Sequence, residues 1–336
     1  MEHLLDINSL AIGFGDRKTQ KIFTDYIDFH VKKGEVLGIV GESGCGKSIT
    51  ALSIMKLLSK QGQTVDGKIM FHDTELGALT ERELDKFRGD KISMIFQDSL
   101  ASLNPVFTIG NQLIESIRSH HKVSRKEAKA RAVELIRQMG IADPEKVIKK
   151  YPHELSGGMR QRVMIAMALS GDAELLIADE PTTALDVTIQ AQIMRLIKRI
   201  QKKRKLSMIL ITHDIGLIAE MADRVIVMYA GQIIEEANVY EIFEHPTHPY
   251  PRALLDATPS IMDTGDKQLN SIKGVVPENY TEIIGCRFAD RCPYACKDCA
   301  KAQAVSNIGN EHFVRCQRAE QIDIAKQDIF PMEEAV

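Results

Sequence analysis

The residues with the clearest chemical meaning form the stretch GESGCGKS at positions 41–48. It matches the pattern G-x-x-x-x-G-K-[ST], in which glycines allow backbone N–H groups to approach phosphate oxygens. The pattern predicts that Lys47 reaches the β- and γ-phosphates of a nucleotide and that the Ser48 hydroxyl binds Mg²⁺. The predicted nucleotide-binding residues are Gly41, Glu42, Ser43, Gly44, Cys45, Gly46, Lys47, Ser48 and Ile49.

Two secondary-structure elements must position this phosphate loop. The apolar run VLGIV at 36–40 is typical of a fully buried parallel strand. The run SITALSIMKLLS at 48–59 has helical periodicity. A loop between a strand and the start of a helix places phosphate in the positive field of the helix, so the context favours phosphate binding.

A second candidate site stands at the end of the apolar run LLIADE at 175–180. An aspartate at the end of a strand can bind Mg²⁺ through water, and a second carboxylate beside it can polarise an attacking water. We therefore predict that Asp179 contributes to a Mg²⁺ site and that Glu180 acts on the water.

Further motifs point to one class of ATPase. Residues 155–162 read LSGGMRQR, ITHD follows at 211–214, ALD stands at 184–186, and Gln97 lies in MIFQDSLASLNP. With the phosphate loop and the two carboxylates, this series resembles the ATP-binding cassette (ABC) ATPases over about residues 1–260. Hydrolysis of ATP is the activity that the resemblance implies.

The resemblance also implies roles for individual residues. Gln97 would contact Mg²⁺ and water, and His213 would contact the γ-phosphate. Ser156, Gly157 and Gly158 would begin a helix that faces the ATP bound to a partner subunit. Adenine would stack on an aromatic side chain, for which Phe14 is the first candidate and Phe23 the second. The implied catalytic residues are Glu180, His213, Gln97 and Lys47, and the implied Mg²⁺ ligands are Ser48, Gln97 and Asp179.

Alternating strands and helices predict an α/β fold with a parallel sheet covered on both faces. The resemblance implies a RecA-like parallel-sheet core, an antiparallel β subdomain and a helical signature subdomain at about 98–170, all within a cassette at 1–260. A small cysteine-rich C-terminal domain is expected at 261–336. Two capping boxes, Thr80 with Glu83 and Ser124 with Glu127, predict helix starts, and Gly140 predicts a helix end.

Composition excludes several classes of protein. A net charge of −3, 5% aromatic residues and no Trp argue against a nucleic-acid partner. The first residues show no secretory signal, and the apolar runs are too short to span a bilayer. These features predict a cytoplasmic protein, and the resemblance to ABC ATPases of transporters implies a peripheral position at the cytoplasmic face of the bacterial cell membrane.

Three stretches narrow the resemblance to importers of dipeptides, oligopeptides and nickel. They are FQDSLASLNPVFTIGNQLIE at 96–115, HPTHPYPRALLDATP at 245–259 and GCRFADRCPYA at 285–295. The resemblance implies an ATPase that powers import of peptides, with two membrane permeases, a second homologous ATPase subunit forming a heterodimer, and an external solute-binding protein. The alternatives are import of nickel or another chelated solute and, more remotely, a soluble ABC ATPase acting on nucleic acid or ribosomes.

Five of the six cysteines lie in the C-terminal part of the chain. Cys286, Cys292, Cys299 and Cys316 match the importer pattern, and Cys296 is extra. Four thiolates suit either Zn²⁺ or a [4Fe–4S] cluster. Neither the two C-x2-C pairs of zinc ribbons nor the bacterial ferredoxin spacing is present, although Cys296 and Cys299 form one C-x2-C pair. Some importers of this type resemble iron–sulfur proteins in this segment, so the resemblance favours [4Fe–4S]. Zn²⁺ and buried cysteines without a metal are the alternatives.

Overall fold

The structure is a computed structural model. It describes residues 2–15, 20–97, 102–183, 185–258, 272–319 and 321. The chain forms two compact units. The first unit comprises Met1–Leu4, Val31–Glu35 and Phe71–Ile211, and the second comprises Leu5–His30, Val36–Met70 and Thr212–Val336.

The strands of the described residues lie in both units. They are β1 (His3–Phe14), β2 (Lys21–Lys32), β3 (Val36–Val40), β4 (Gly62–Phe71), β5 (Thr74–Glu75), β6 (Ile92–Ile95), β7 (Leu175–Asp179), β8 (Ser207–Ile211), β9 (Arg224–Tyr229), β10 (Gln232–Asn238), β11 (Ser306–Asn307) and β12 (Phe313–Val314).

The helices stand between these strands singly or in groups. They are α1 (Lys47–Ile54), α2 (Glu81–Leu84), α3 (Ile109–His120), α4 (Arg125–Gln138), α5 (Pro144–Val147), α6 (Gly157–Ala168), α7 (Val187–Arg204), α8 (Ile215–Met221), α9 (Val239–Glu244) and α10 (Pro249–Asp256). Among the described residues, no helix combines the length and apolarity needed to cross a lipid bilayer.

The first unit contains three parallel strands, with β7 between β6 and β8. Leu175 of β7 is in register with Ile92 on one side and Ser207 on the other. Every residue of the three strands is buried, which explains why their sequences are almost continuously apolar. The parallel register brings Asp179 to the carboxyl end of the central strand.

Helices of the first unit begin and end where local signals predict. Both predicted capping boxes, Thr80 with Glu83 and Ser124 with Glu127, are confirmed. Gly140 has a φ of +71° just after α4, a conformation that glycine adopts without strain. Helices α3, α4 and α6 pack against one another within the range predicted for the helical subdomain, of which residues 98–101 lie outside the described part.

The second unit contains a sheet with the order β11-β12-β10-β9-β3 and a group with the order β2-β1-β4. Strand β3 pairs parallel with β9, and β9 pairs antiparallel with β10. The turn of this hairpin uses Ala230 and Gly231, with φ of +46° and +81°. Positive φ at both positions is the requirement of a type I′ turn, which suits the twist of a hairpin.

The predicted separate cysteine-rich domain is not confirmed. Strand β12 pairs antiparallel with β10, with Val314 opposite Glu235. The C-terminal segment, residues 272–319, therefore extends the sheet of the second unit. Phe288 and Val314 are fully buried. The segment is too short to bury a sizeable core of its own, so its apolar residues pack on the rest of the unit. The predicted boundary at 260/261 lies outside the described residues.

Candidate nucleotide-binding site

The phosphate loop joins β3 to α1, which is the strand–loop–helix context that the sequence predicts. Gly41, Gly44 and Gly46 have φ of +150°, +80° and +107°. A Cβ atom on Gly41 would lie 2.2 Å from the carbonyl oxygen of Met228. Only glycine therefore fits at the start of the loop, because the chain turns there with positive φ and lies directly against β9.

Lys47 is the first residue of α1 and is only 6% exposed. Its Nζ donates to the carbonyl oxygens of Gly41 at 2.7 Å and Glu42 at 3.0 Å. The ammonium group is therefore held over the loop in which phosphate would bind. Burial raises the pKa of the neighbouring Cys45 thiol, which keeps it uncharged at neutral pH. Ser48 and Ile49 follow on α1 and are half-buried.

The predicted carboxylates lie in the first unit, where β7 ends. Asp179 is 4% exposed. Glu180 follows with a φ of +45°, and its Oε2 accepts hydrogen bonds from Gln97 Nε2 at 3.0 Å and Thr183 Oγ1 at 2.8 Å. Positive φ in a residue other than glycine stores strain, and such residues cluster at functional sites. The structure thus brings Gln97 and Glu180 together, as their predicted roles require.

Thr183 is a residue of this site that sequence reasoning missed. The sequence contained a usable signal, because the hydroxyl of a threonine three residues after a carboxylate can donate a hydrogen bond to that carboxylate. Ala184, in the ALD motif, lies outside the described residues.

The predicted signature residues begin α6 in the first unit. Ser156 is the N-cap residue, and its side chain accepts from the Met159 N–H at 3.3 Å. A Cβ atom on Gly158 would lie 2.9 Å from Ile189 Cγ2 of α7, so a glycine there allows close packing. Buried Gln161 donates through Nε2 to the Pro181 carbonyl, which links this helix to the segment after Glu180.

The remaining predicted residues lie in the second unit. His213 is exposed, just before α8, which Asp214 caps by accepting from the Leu217 N–H at 3.1 Å. Both candidates for adenine stacking, Phe14 and Phe23, are half-buried with ring centroids 5.1 Å apart in an edge-to-face arrangement. The two candidates therefore belong to one aromatic cluster.

The stretch HPTHPY near residue 245 is organised by a buried carboxylate. Glu235 is 0% exposed and accepts from the Thr247 N–H, the His248 N–H and His312 Nε2, at 2.8, 2.6 and 2.8 Å. Three donors compensate for the cost of removing a carboxylate from water. Glu235 therefore ties the turn before α10 to the C-terminal segment.

His248 gives this turn a predictable response to pH. Burial lowers its pKa to about 3 from an ordinary 6.5. Only the unfolded chain takes up this proton between those values, so stability falls as the pH drops below 6.5, by up to about 1.4 kcal/mol per pH unit. We expect the melting temperature to fall less steeply between pH 6.5 and 4 in His248→Asn, measured by thermal unfolding.

Asparagine is a matched replacement, because its side-chain oxygen can accept the Tyr250 N–H that His248 Nδ1 accepts at 3.0 Å. Equal pH slopes in the two proteins would contradict this prediction.

The predicted cysteine metal site is not supported. Burial raises the pKa of Cys286 to about 11 and that of Cys292 to about 12, with further increases from the nearby thiols of Cys299 and Cys316. Within the described residues, no three His, Cys, Asp or Glu side chains are grouped closely enough to hold a metal ion. One sulfur pair at 3.8 Å, Cys296 with Cys299, includes the cysteine predicted to be extra.

Comparisons with known proteins agree with this architecture. The family model described as ABC transporter matches residues 24–183, and the model described as oligopeptide/dipeptide transporter, C-terminal region, matches residues 234–299. The probable peptide ABC transporter ATP-binding protein y4tR of Sinorhizobium fredii is 50% identical over 95% of this chain and 96% of its own length. The oligopeptide transport ATP-binding protein AppD of Bacillus subtilis is 52% identical over 89% of this chain and 91% of its own.

A solved structure shows the same fold. It is described as a dimeric post-hydrolysis state of the ATP-binding cassette MJ0796 bound to ADP and Pi. It has a TM-score of 0.63 and 26% identity, and the match covers 70% of this chain and 98% of the other.

The fold and the site together define an ABC-type ATPase, which confirms the predicted class. Within that class, the chain belongs to the family of ATP-binding subunits of dipeptide and oligopeptide ABC transporters.

Proposed function

We propose that this chain is the ATP-hydrolysing subunit that powers import of dipeptides or oligopeptides through a membrane ABC transporter. One observation supports the peptide assignment above others. It is the match of residues 234–299 to the model described as oligopeptide/dipeptide transporter, C-terminal region. The matched region also supplies Tyr250 and Arg291, and both contact Glu42 of the phosphate loop. The matched segment is therefore part of the same unit as the phosphate loop.

The proposed chemistry assigns one task to each motif. Lys47 and the loop N–H groups bind the phosphates of ATP. Glu180 orients and deprotonates the attacking water, and His213 contacts the γ-phosphate. The hydrogen bonds from Gln97 and Thr183 both reach Glu180 Oε2, so they fix the orientation of the carboxylate. Phe14 stacks on adenine, with Phe23 as the alternative.

The proposed Mg²⁺ ligands are Ser48, Gln97 and Asp179. Hydroxyl, amide and carboxylate oxygens suit this hard cation, and Asp179 supplies an almost fully buried negative charge. When bound, Mg²⁺ offsets negative charge on the phosphates.

The proposed partner for ATP hydrolysis is a second homologous ATPase subunit. The N-terminus of α6, with Ser156, Gly157 and Gly158, would face the ATP held by that subunit, because a helix N-terminus favours an anion. The similarity to a cassette solved as a dimer supports this arrangement. A heterodimer is the preferred form.

Two membrane permeases are the proposed partners outside the ATPase pair. Val106 and Phe107 are 69% and 49% exposed, and Gln112 braces their loop by hydrogen bonds to Asn104 and Phe107. Exposed apolar side chains on a braced loop suit docking of a permease segment. The proposed location is the cytoplasmic face of the bacterial cell membrane, where the chain would be a peripheral subunit. Crosslinking from Asn104 to a permease tests the contact.

The function is tested by transport in cells. A strain that lacks this chain should lose ATP-dependent uptake of labelled dipeptides or oligopeptides delivered by an external binding protein. The wild-type chain should restore uptake, and Lys47→Ala should not. Loss of nickel uptake with normal peptide uptake would favour the nickel alternative. ATPase stimulation by DNA or ribosomes, without any transport defect, would favour the soluble alternative.

A metal centre at Cys286, Cys292, Cys299 and Cys316 remains a proposal. Its support is that the thiols of Cys299 and Cys316 contribute to the raised pKa of Cys286 and Cys292, so the four thiols lie within electrostatic reach of one another. Four thiolates would suit a [4Fe–4S] cluster, with Zn²⁺ as the alternative. We expect protein purified without oxygen to contain iron and to absorb at about 400 nm, and to keep both properties in Cys296→Ser but lose them in Cys292→Ser. A colourless protein with no stoichiometric metal would contradict the proposal.

A further inference from the structure

The C-terminal segment carries an arginine that reaches the phosphate loop. Arg291 is only 5% exposed in its side chain, and its Nη1 lies 3.0 and 3.1 Å from the two carboxylate oxygens of Glu42. The same nitrogen donates to Tyr229 Oη at 3.2 Å, and Nε donates to the Lys273 carbonyl at 2.9 Å. Glu42 is thus paired with a buried and well-anchored cation.

Buried aromatic side chains surround the Arg291–Glu42 salt bridge. Tyr229, Tyr250 and Phe288 are at most 1% exposed, and their ring centroids lie 4.7 to 5.3 Å apart. The guanidinium carbon of Arg291 lies 5.7 Å from the Tyr229 ring centre and 5.8 Å from that of Phe288. Cation–π contacts of this kind stabilise a buried guanidinium.

The backbone of the loop is held from the same side. The Glu42 N–H donates to Tyr250 Oη at 2.8 Å, and the Gly231 N–H donates to the Cys45 carbonyl at 3.1 Å. The loop therefore rests on the hairpin turn of β9 and β10, on α10 and on the C-terminal segment.

Glu42 presents an electrostatic problem for the proposed ATP site. It is the second residue of a loop whose backbone N–H groups bind an anion, and a carboxylate there would repel the phosphates. Arg291 offsets this charge, and its two contacts hold the carboxylate on the side of the loop that faces the aromatic cluster.

We propose that Arg291 is a positioning residue for the ATP site, which neutralises Glu42 and holds it away from the bound phosphates. This inference rests on the proposed role of the loop in binding ATP. It assigns to the C-terminal segment a direct effect on nucleotide affinity, because the affinity depends on a salt bridge that the segment supplies.

The test measures ATP affinity of the full chain by calorimetric titration. We expect Arg291→Gln to weaken ATP binding about 10-fold, since the carboxylate charge is no longer offset. The double variant Arg291→Gln with Glu42→Gln should recover most of the loss, and Arg291→Lys should retain most of the affinity. In the assembled transporter, KM for ATP should rise in Arg291→Gln more than kcat falls. Because the effect is electrostatic, added salt should reduce it.

Arg315→Gln is the matched control for a structural effect. Arg315 is a half-buried arginine of the same segment, and it donates to the carbonyl oxygens of Ile233 and Gln303. We expect Arg315→Gln to lower thermal stability. Adding Glu42→Gln should rescue neither the stability nor the ATP affinity of this variant. Unchanged affinity in Arg291→Gln, or a loss that Glu42→Gln does not reverse, would overturn the inference.

Lys47→Ala separates failure of the inference from failure of the proposed function. If the wild-type chain binds ATP and Lys47→Ala does not, then wild-type ATP affinity in Arg291→Gln overturns only the inference about Arg291. If Lys47→Ala binds ATP as the wild type does, the proposed site itself is wrong and the inference falls with it.

Discussion

Replacing Glu180 by glutamine is expected to leave ATP binding near the wild-type level and to slow hydrolysis about 100-fold or more, as expected for loss of a general base. Glutamine keeps the size of the side chain and one acceptor oxygen for Gln97 and Thr183, which donate to the carboxylate at 3.0 and 2.8 Å. It cannot accept a proton from water. Single-turnover hydrolysis in the assembled transporter, with ATP affinity measured in parallel, checks both parts.

Glu174→Gln is the matched control. Glu174 stands immediately before β7, which ends next to Glu180, and its carboxylate pairs with Lys91 at 2.9 Å and His72 at 3.0 Å. Breaking these partly exposed pairs should cost about 1 kcal/mol of stability or less, with hydrolysis unchanged. Wild-type turnover in Glu180→Gln would contradict the assignment of Glu180.

Replacing Lys47 by alanine is expected to weaken ATP binding about 100-fold or more. Lys47 is only 6% exposed, and its ammonium group already bridges the Gly41 and Glu42 carbonyls. Hydrogen bonds to charged groups contribute about 1.5–3 kcal/mol each, so losing two of them to phosphate accounts for this factor. Calorimetric titration with ATP measures the change.

Lys47→Arg separates charge from geometry. It keeps the positive charge, but a planar guanidinium is larger and does not fit the space that a lysine occupies at 6% exposure. We expect weak ATP binding in this variant too, with thermal unfolding showing that the chain is folded. Wild-type affinity in Lys47→Arg would mean that charge alone is needed at this position.

Local structure could be predicted well from the sequence because local interactions determine it. The Ser124–Glu127 capping box joins side-chain and backbone atoms three residues apart, and β3 is recognisable because every residue of VLGIV is buried. The cysteines show the limit of such reasoning. Their spacing indicated a ligand chemistry, but whether sulfur atoms converge depends on how the segment packs, and the metal grouping is not supported within the described residues.

The sequence by itself determined the class of ATPase, because the phosphate loop, the Asp179–Glu180 pair and the signature are each contiguous motifs. Only the tertiary structure decided which distant residues contact the phosphate loop. Arg291 and Glu42 are 249 residues apart in the chain, and no local pattern relates them. Their contact exists because β10, α10 and the C-terminal segment fold into the same unit as the phosphate loop, where apolar burial of Tyr229, Tyr250 and Phe288 sets the position of the salt bridge.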